Sequence, residues 1–175
     1  TWYESREKFD ESQVGVPLKE HKNSGFELIS GKAQFSGKIL GGCIDSIYDM
    51  FDGERYEDMP AVCEKYGLFP SLDDWKDKIL LLESSEELMP PEKYAKALDY
   101  LKSTGMFGVI SGIIAGKPMN GKYHDEYKRL LAEKTAEYEL PVLCNINIGH
   151  ALPRCIIPFG VTAEIDAEKQ TISFA

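Results

Sequence analysis

The sequence predicts an α/β fold in which a short parallel sheet is flanked by antiparallel hairpins. Lys78–Glu83 (KILLLE), Val109–Lys117 (VISGIIAGK) and Leu140–Ile148 (LPVLCNINI) are largely continuous apolar runs, the pattern of strands covered on both faces. Helix-patterned segments separate the three runs, which makes right-handed β-α-β crossovers the economical topology. At the C-terminus VTAEID and QTISF alternate apolar and polar residues around Ala167-Glu168-Lys169, a hairpin signal.

Residues 1–24 read as a linker or loop, because the polar run from Glu4 to Lys22 has no clear period. The chain opens on Thr1 rather than Met, the look of a chain begun partway through a larger protein. Phe26 to Gly42 contains two β-prone runs separated by Ser30-Gly31, which predicts a hairpin that Gly41 and Gly42 then break. In CIDSIYDMF, Ile44, Ile47, Tyr48 and Phe51 share one helical face, and Asp52-Gly53 ends the helix. After KILLLE, Pro90-Pro91 start a helix through Lys102 that turns Tyr94, Ala97, Leu98 and Leu101 inward, with Gly105 as its stop. A second long helix runs from Tyr123 to Tyr138 and leads into LPVLCNINI. There is no internal repeat or low-complexity stretch.

A chain of 175 residues that is 43% hydrophobic and 28% charged can bury a core of its own as one domain, which excludes a disulfide-stapled mini-protein or a disordered tail. Its formal charge of -9, with no Lys/Arg cluster longer than a pair, argues against nucleic acid and anionic membrane surfaces as partners. Between Asp45 and Asp99 fifteen acids face six bases, a local excess equal to the whole net charge. No apolar run approaches the roughly 20 residues of a bilayer span, and the N-terminus lacks a signal-peptide layout, so a soluble, cytoplasmic chain is expected. Cys43, Cys63, Cys144 and Cys155 stand singly, without a C-x-x-C pair or a nearby His; they read as reduced, mostly buried thiols rather than zinc ligands. The acidic stretch lacks D-x-D-x-D-G spacing, so no metal site is expected.

In parallel α/β sheets functional groups collect beyond the carboxyl ends of the strands. Here those ends carry Glu83 with Ser84-Ser85-Glu86-Glu87, then Gly116-Lys117-Pro118, then Asn147 with Gly149-His150. A carboxylate beside an imidazole fixes the tautomer that lets His act as a base. Each residue also has a plain reading: Glu83 as a solvated helix cap, His150 as a loop histidine, Lys117 as a surface lysine. Trp2, Tyr3 and Trp75 read as packing aromatics, although an exposed Trp can stack on a ligand ring. His21 and His124 sit in polar company and carry no functional signal.

GKILGGCIDSIYDMFDG, ILLLESSEE, GIIAGKP and LPVLCNINIGHALPRCIIPFGVTAEID, in this order, resemble the C-terminal domain of the LD-carboxypeptidase family of serine peptidases, nearest its microcin C immunity branch. The resemblance covers Gly25 to Phe174, with the Glu strand and the Gly-His-Ala-x-Pro segment as its specific parts. It implies a small β/β/α swivelling-type domain over residues 25–175, the second half of a two-domain hydrolase with a Ser-Glu-His triad and no cofactor. Glu83 would be the triad acid and His150 the base, with the serine supplied by an N-terminal domain of the same protein. Lys117, Glu86 and Trp2 would bind substrate, Trp2 by stacking on a nucleobase. The implied substrate is the amide of a small peptidyl or aminoacyl nucleotide. The sister branch instead releases the terminal D-alanine of a murein tetrapeptide. Members of the family are commonly dimers, which implies a homodimer.

Two features depart from the family pattern. No serine on a tight turn after a strand is present: Ser24 precedes a strand, and Ser84 and Ser85 adjoin the acid. This chain alone is therefore expected to hydrolyse nothing. Cys43 stands where the immunity branch usually has Asn, and as the opening residue of a helix without a base beside it, it is not expected to be a nucleophile. The rival reading is a non-catalytic binding module, which would not need Glu83 and His150 within hydrogen-bond reach.

Overall fold

The computed structural model describes residues 1–175. In chain order the elements are β1 (Trp2–Tyr3), β2 (Glu20–His21), β3 (Glu27–Ser30), β4 (Gln34–Cys43), α1 (Ile44–Asp52), α2 (Met59–Tyr66), α3 (Leu72–Trp75), β5 (Lys78–Glu83), α4 (Pro91–Ser103), β6 (Gly112–Gly116), α5 (His124–Thr135), β7 (Val142–Ile146), β8 (Thr162–Asp166) and β9 (Thr171–Phe174). β1 and β2 pair as a small antiparallel ribbon inside the stretch expected to be a linker. The other seven strands form one sheet in the order β3-β7-β6-β5-β4-β8-β9. Its centre, β7-β6-β5-β4, is parallel, and antiparallel strands close both edges.

The α/β reading therefore holds, and so do the expected helices α1, α4 and α5 and the β8-β9 hairpin. The N-terminal hairpin is corrected: β3 pairs with β7 at one edge, while β4 lies between β5 and β8 as a fourth parallel strand. Local contacts explain the divergence. Ser30 Oγ donates to the Leu140 carbonyl at 2.8 Å, and Gly31, at φ 73, has no room for a side chain against the Pro141 backbone. This carries the chain across the end of β7 instead of back along β3. Gly41 and Gly42 do not break the strand either. At φ 130 and 147 they continue it, and a Cβ on Gly41 would stand 2.2 Å from the Leu81 carbonyl oxygen. The close approach brings Cys43 into register with Glu83.

The apolar strands are covered on both faces by different means. One face presents Leu80, Leu82, Ile113, Ala115 and Val142 to the helices, where they meet Ile44, Tyr94, Leu98, Leu101 and Leu131. The other face has no helix: Ile79, Leu81, Ile114 and Leu143 pack against Phe35, Ile39, Ala163 and Ile165 of β4 and β8. Burial of an aliphatic side chain of this size contributes about 1.5–3 kcal/mol relative to exposure, so the central strands are the most firmly fixed part of the chain. No helix is long and apolar enough to cross a membrane.

Candidate active site

Glu83 is the last residue of β5, and its side chain is mostly buried. His150 lies four residues beyond the end of β7, a strand that does not touch β5, because β6 runs between them. Two glycines make the meeting feasible. Gly116, which ends β6, leaves space that a Cβ would take from Ile148 Cγ1 at 2.9 Å and from Glu83 Cβ at 3.2 Å. Gly149, at φ 67, turns the chain directly over the carboxylate. The segment after β7 thus crosses the end of β6 and sets His150 Nδ1 3.1 Å from Glu83 Oε2 and 3.1 Å from the Ser84 carbonyl oxygen.

Three further side chains belong to this cluster. The Glu86 carboxylate reaches His150 Nε2 at 3.0 Å from the loop beyond β5. Asp45, in the first turn of α1, accepts from the Ser85 amide at 3.0 Å and from the Cys43 thiol at 3.6 Å, which ties that loop to the end of β4. Cys43 itself is half-buried. Burial pushes its thiol up to about 11, with Glu83 and Asp45 adding to the rise and hydrogen bonds at Ser46 opposing it. A thiol held this far from ionisation is a poor nucleophile. Asp45, Gly116 and Gly149 were not singled out from the sequence. For the glycines the available signal was their position one residue before Lys117 and His150 at strand ends.

Lys117 is not a surface lysine. It is 5% exposed, its ammonium donates to Asn145 Oδ1, and burial holds its amine below the usual lysine range. Asn145 in turn donates to Ser24 Oγ at 2.9 Å and to the Gly25 carbonyl at 2.6 Å, so this buried pair anchors the chain just before β3. The Lys117 ammonium also lies 5.1 Å from the centre of the Trp2 ring. Trp2 stacks on His21 with centroids 4.4 Å apart, so one ring face is already engaged. The N-terminal stretch is held over the same end of the sheet: the Tyr3 amide bonds to the Leu152 carbonyl at 2.8 Å, two residues beyond His150, and the Ser5 amide to Asn120 Oδ1 at 2.7 Å. Trp75 is a buried core residue, and His124 pairs with Glu27 of β3 at 3.4 Å.

The Glu83 and His150 side chains keep 16% and 27% of their surface exposed, and Glu86 beside them is largely exposed. A surface hollow of about 660 Å³ lies at the opposite ends of the parallel strands, lined by Lys32, Gln34, Ser111 and Asp166, away from this cluster. Beyond His150 the chain exposes Ile156 (92%) and Phe159 (55%), large apolar side chains with no cover in this chain.

Comparison with known proteins gives this geometry a context. The microcin C7 self-immunity protein MccF of Escherichia coli is 25% identical over 176 residues, covering 98% of this chain and 45% of that protein. The crystal structure of an MccF-like protein from Streptococcus pneumoniae in complex with AMP is 51% identical and superposes with a TM-score of 0.95, covering 99% of this chain and 50% of that one. A structure of MccF with aspartyl sulfamoyl adenosine shares the fold at 23% identity, a TM-score of 0.72 and coverage of 99% of this chain and 47% of that one. The chain spans less than half the length of the curated relatives it matches. Residues 36–165, from early β4 through nearly all of β8, match the profile of the LD-carboxypeptidase C-terminal domain, and this chain belongs to that family.

Proposed function

We propose that this chain is the C-terminal part of a serine-type amide hydrolase in which Glu83 and His150 are two members of a Ser-Glu-His triad. The observation that carries the reading is the 3.1 Å contact from His150 Nδ1 to Glu83 Oε2, made by a partly exposed imidazole. A general base oriented by a carboxylate needs that spacing, and the exposed part of the imidazole is where a second domain would present a serine. In this reading Glu83 holds the imidazole, and Nε2 takes the proton of the serine hydroxyl as its oxygen attacks the amide carbonyl. His150 then returns the proton to the leaving nitrogen. The oxyanion donors come from the N-terminal domain, and the exposed Ile156 and Phe159 fit a surface that such a domain covers.

The substrate class we infer is the amide of an aminoacyl or small peptidyl nucleotide, supported by the AMP and aminoacyl sulfamoyl ligands named for the MccF-type structures. Lys117, Trp2 and Glu86 are the proposed substrate contacts. The Lys117 ammonium and the Trp2 ring lie 5.1 Å apart, which supports placing them in one subsite. Dimerisation of the intact protein is part of the same reading and is tested by sedimentation.

The test uses the full-length protein and aspartyl sulfamoyl adenosine, with murein tetrapeptide as the competing substrate. His150→Ala and Glu83→Gln are expected to lower kcat by about 10³–10⁴. The isolated 175-residue chain is expected to show no turnover. Release of D-alanine in place of nucleotide cleavage would move the assignment to the murein substrate. Full activity in His150→Ala would overturn the triad and favour a binding module.

A further inference from the structure

The two hydrogen bonds at His150 Nδ1 differ in kind. The Glu83 carboxylate stands 3.1 Å away, and so does the carbonyl oxygen of the next residue, Ser84. A carboxyl group donates when protonated and accepts when ionised, but a peptide carbonyl only accepts. The Ser84 carbonyl therefore requires the proton on Nδ1, which leaves Nε2 as the acceptor nitrogen of the neutral ring. The Glu86 carboxylate comes within 3.0 Å of Nε2 but makes no aligned hydrogen bond with it, so it sets no tautomer. The Ser84 carbonyl and the Ser85 amide belong to one planar peptide group, in which C=O and N–H point in opposite directions. Asp45 Oδ2 accepts from that amide at 3.0 Å. One peptide group thus lies between the Asp45 carboxylate on one side and the imidazole on the other. A charged acceptor on the amide also polarises the group and makes its carbonyl a stronger acceptor.

We propose that Asp45 is a positioning residue: through the Ser84-Ser85 peptide it fixes the Nδ1–H tautomer of His150 and so keeps Nε2 available to the serine hydroxyl. The inference rests on the triad reading above. The imidazole then has two holders from two elements, Glu83 at the end of β5 directly and Asp45 in the first turn of α1 by way of a backbone carbonyl. The same Asp45 oxygen accepts from the Cys43 thiol at 3.6 Å, which fixes the carboxylate against the end of β4. Without Asp45 the Glu83 contact stays, but the peptide is free to turn its carbonyl away from Nδ1. The ring then divides between two tautomers, only one of which can take the serine proton at Nε2.

The experiment compares wild type, Asp45→Ala and Asp45→Asn in the full-length protein with aspartyl sulfamoyl adenosine as substrate. Asn keeps a carbonyl oxygen for the Ser85 amide and removes the charge. Asp45→Ala is expected to lower kcat about tenfold to thirtyfold with KM within about twofold, and Asp45→Asn to recover most of that loss. A role limited to negative charge at the α1 N-terminus gives a different pattern, with Asn as poor as Ala. Ring ¹⁵N spectra at about pH 9, well above the ordinary imidazole range, read the tautomer independently of turnover. The His150 signals are those missing from His150→Ala. Wild type and Asp45→Asn are expected to hold the proton on Nδ1, and Asp45→Ala to show both tautomers. If Asp45→Ala fails to fold, Asp45→Ser takes its place, since Ser has a similar helix propensity and a side chain too short to reach the Ser85 amide. Equal losses in the Ala and Asn variants, a wild-type rate in Asp45→Ala, or a single tautomer in every variant overturns the proposal. If His150→Ala is fully active, the triad reading falls and this proposal with it. If His150→Ala is dead while Asp45→Ala keeps the wild-type rate and tautomer, the triad stands and only this proposal falls.

Discussion

A methyl group on Gly149 would stand 2.2 Å from Glu83 Oε2, the oxygen that His150 approaches. Glycine at this point is therefore a condition of the carboxylate-imidazole contact as well as of the turn, whose φ of 67 disfavours any side chain.

Gly149→Ala is expected to destabilise the protein by about 1–3 kcal/mol, from left-handed backbone strain plus displacement of Glu83. In the full-length protein turnover should fall by about 100-fold or more, since an Å-scale misplacement of a reacting group costs on that order. Urea denaturation and steady-state kinetics on one preparation check both parts. An unchanged midpoint and rate would mean that the loop relaxes without disturbing the acid.

The four thiols should differ sharply in reactivity. Burial pushes Cys43 up to about 11 and Cys144 up to about 12, Cys63 is buried, and Cys155 is exposed. Iodoacetamide at about pH 7.5 is expected to modify Cys155 in the native protein and the other three only after unfolding, because the thiolate is the reacting form. Peptide mapping reads the result. Rapid native labelling of Cys43 would contradict its burial and restore it as a nucleophile candidate.

Glu27 on β3 gives a pH-dependent test of the sheet edge. Burial alone would raise its carboxyl, but the Lys128 ammonium and His124 of α5 outweigh this and hold it below its ordinary 4.5. The sign follows from proton linkage: the stabilisation is present above the unfolded value and is lost as pH falls through the lowered folded one. Glu27→Gln should cost less than about 1 kcal/mol at neutral pH, as befits a partly exposed pair. Its urea midpoint should converge on that of wild type below about pH 4. A gap that persists at low pH would mean that packing, not charge, holds β3 to α5.

The parts legible in sequence were those whose periodicity is set by local burial. KILLLE, the α4 stripe of Tyr94, Ala97, Leu98 and Leu101, and the alternating β8-β9 pair each carry their own pattern. The hairpin assigned to Phe26–Gly42 misled because its turn signal, Ser30-Gly31, serves a contact with Leu140 and Pro141 that no local pattern encodes. The ribbon of β1 and β2 was hidden for a related reason, since two-residue strands have no measurable period. Of the site, Glu83 and His150 stood out at strand ends. Asp45 did not, because its task is to bind the Ser85 amide, forty residues further along the chain.

The pairing of β3 with β7 joins residues more than a hundred positions apart, Leu28 facing Leu143. Closing so long a loop carries an entropic cost that only a ready-made partner edge can offset. During synthesis the first strand of the main sheet to leave the ribosome has no mate until most of the chain has followed. β3 and the stretch before it, which Asn145 fastens, can therefore complete their place in the sheet only once β7 has been made.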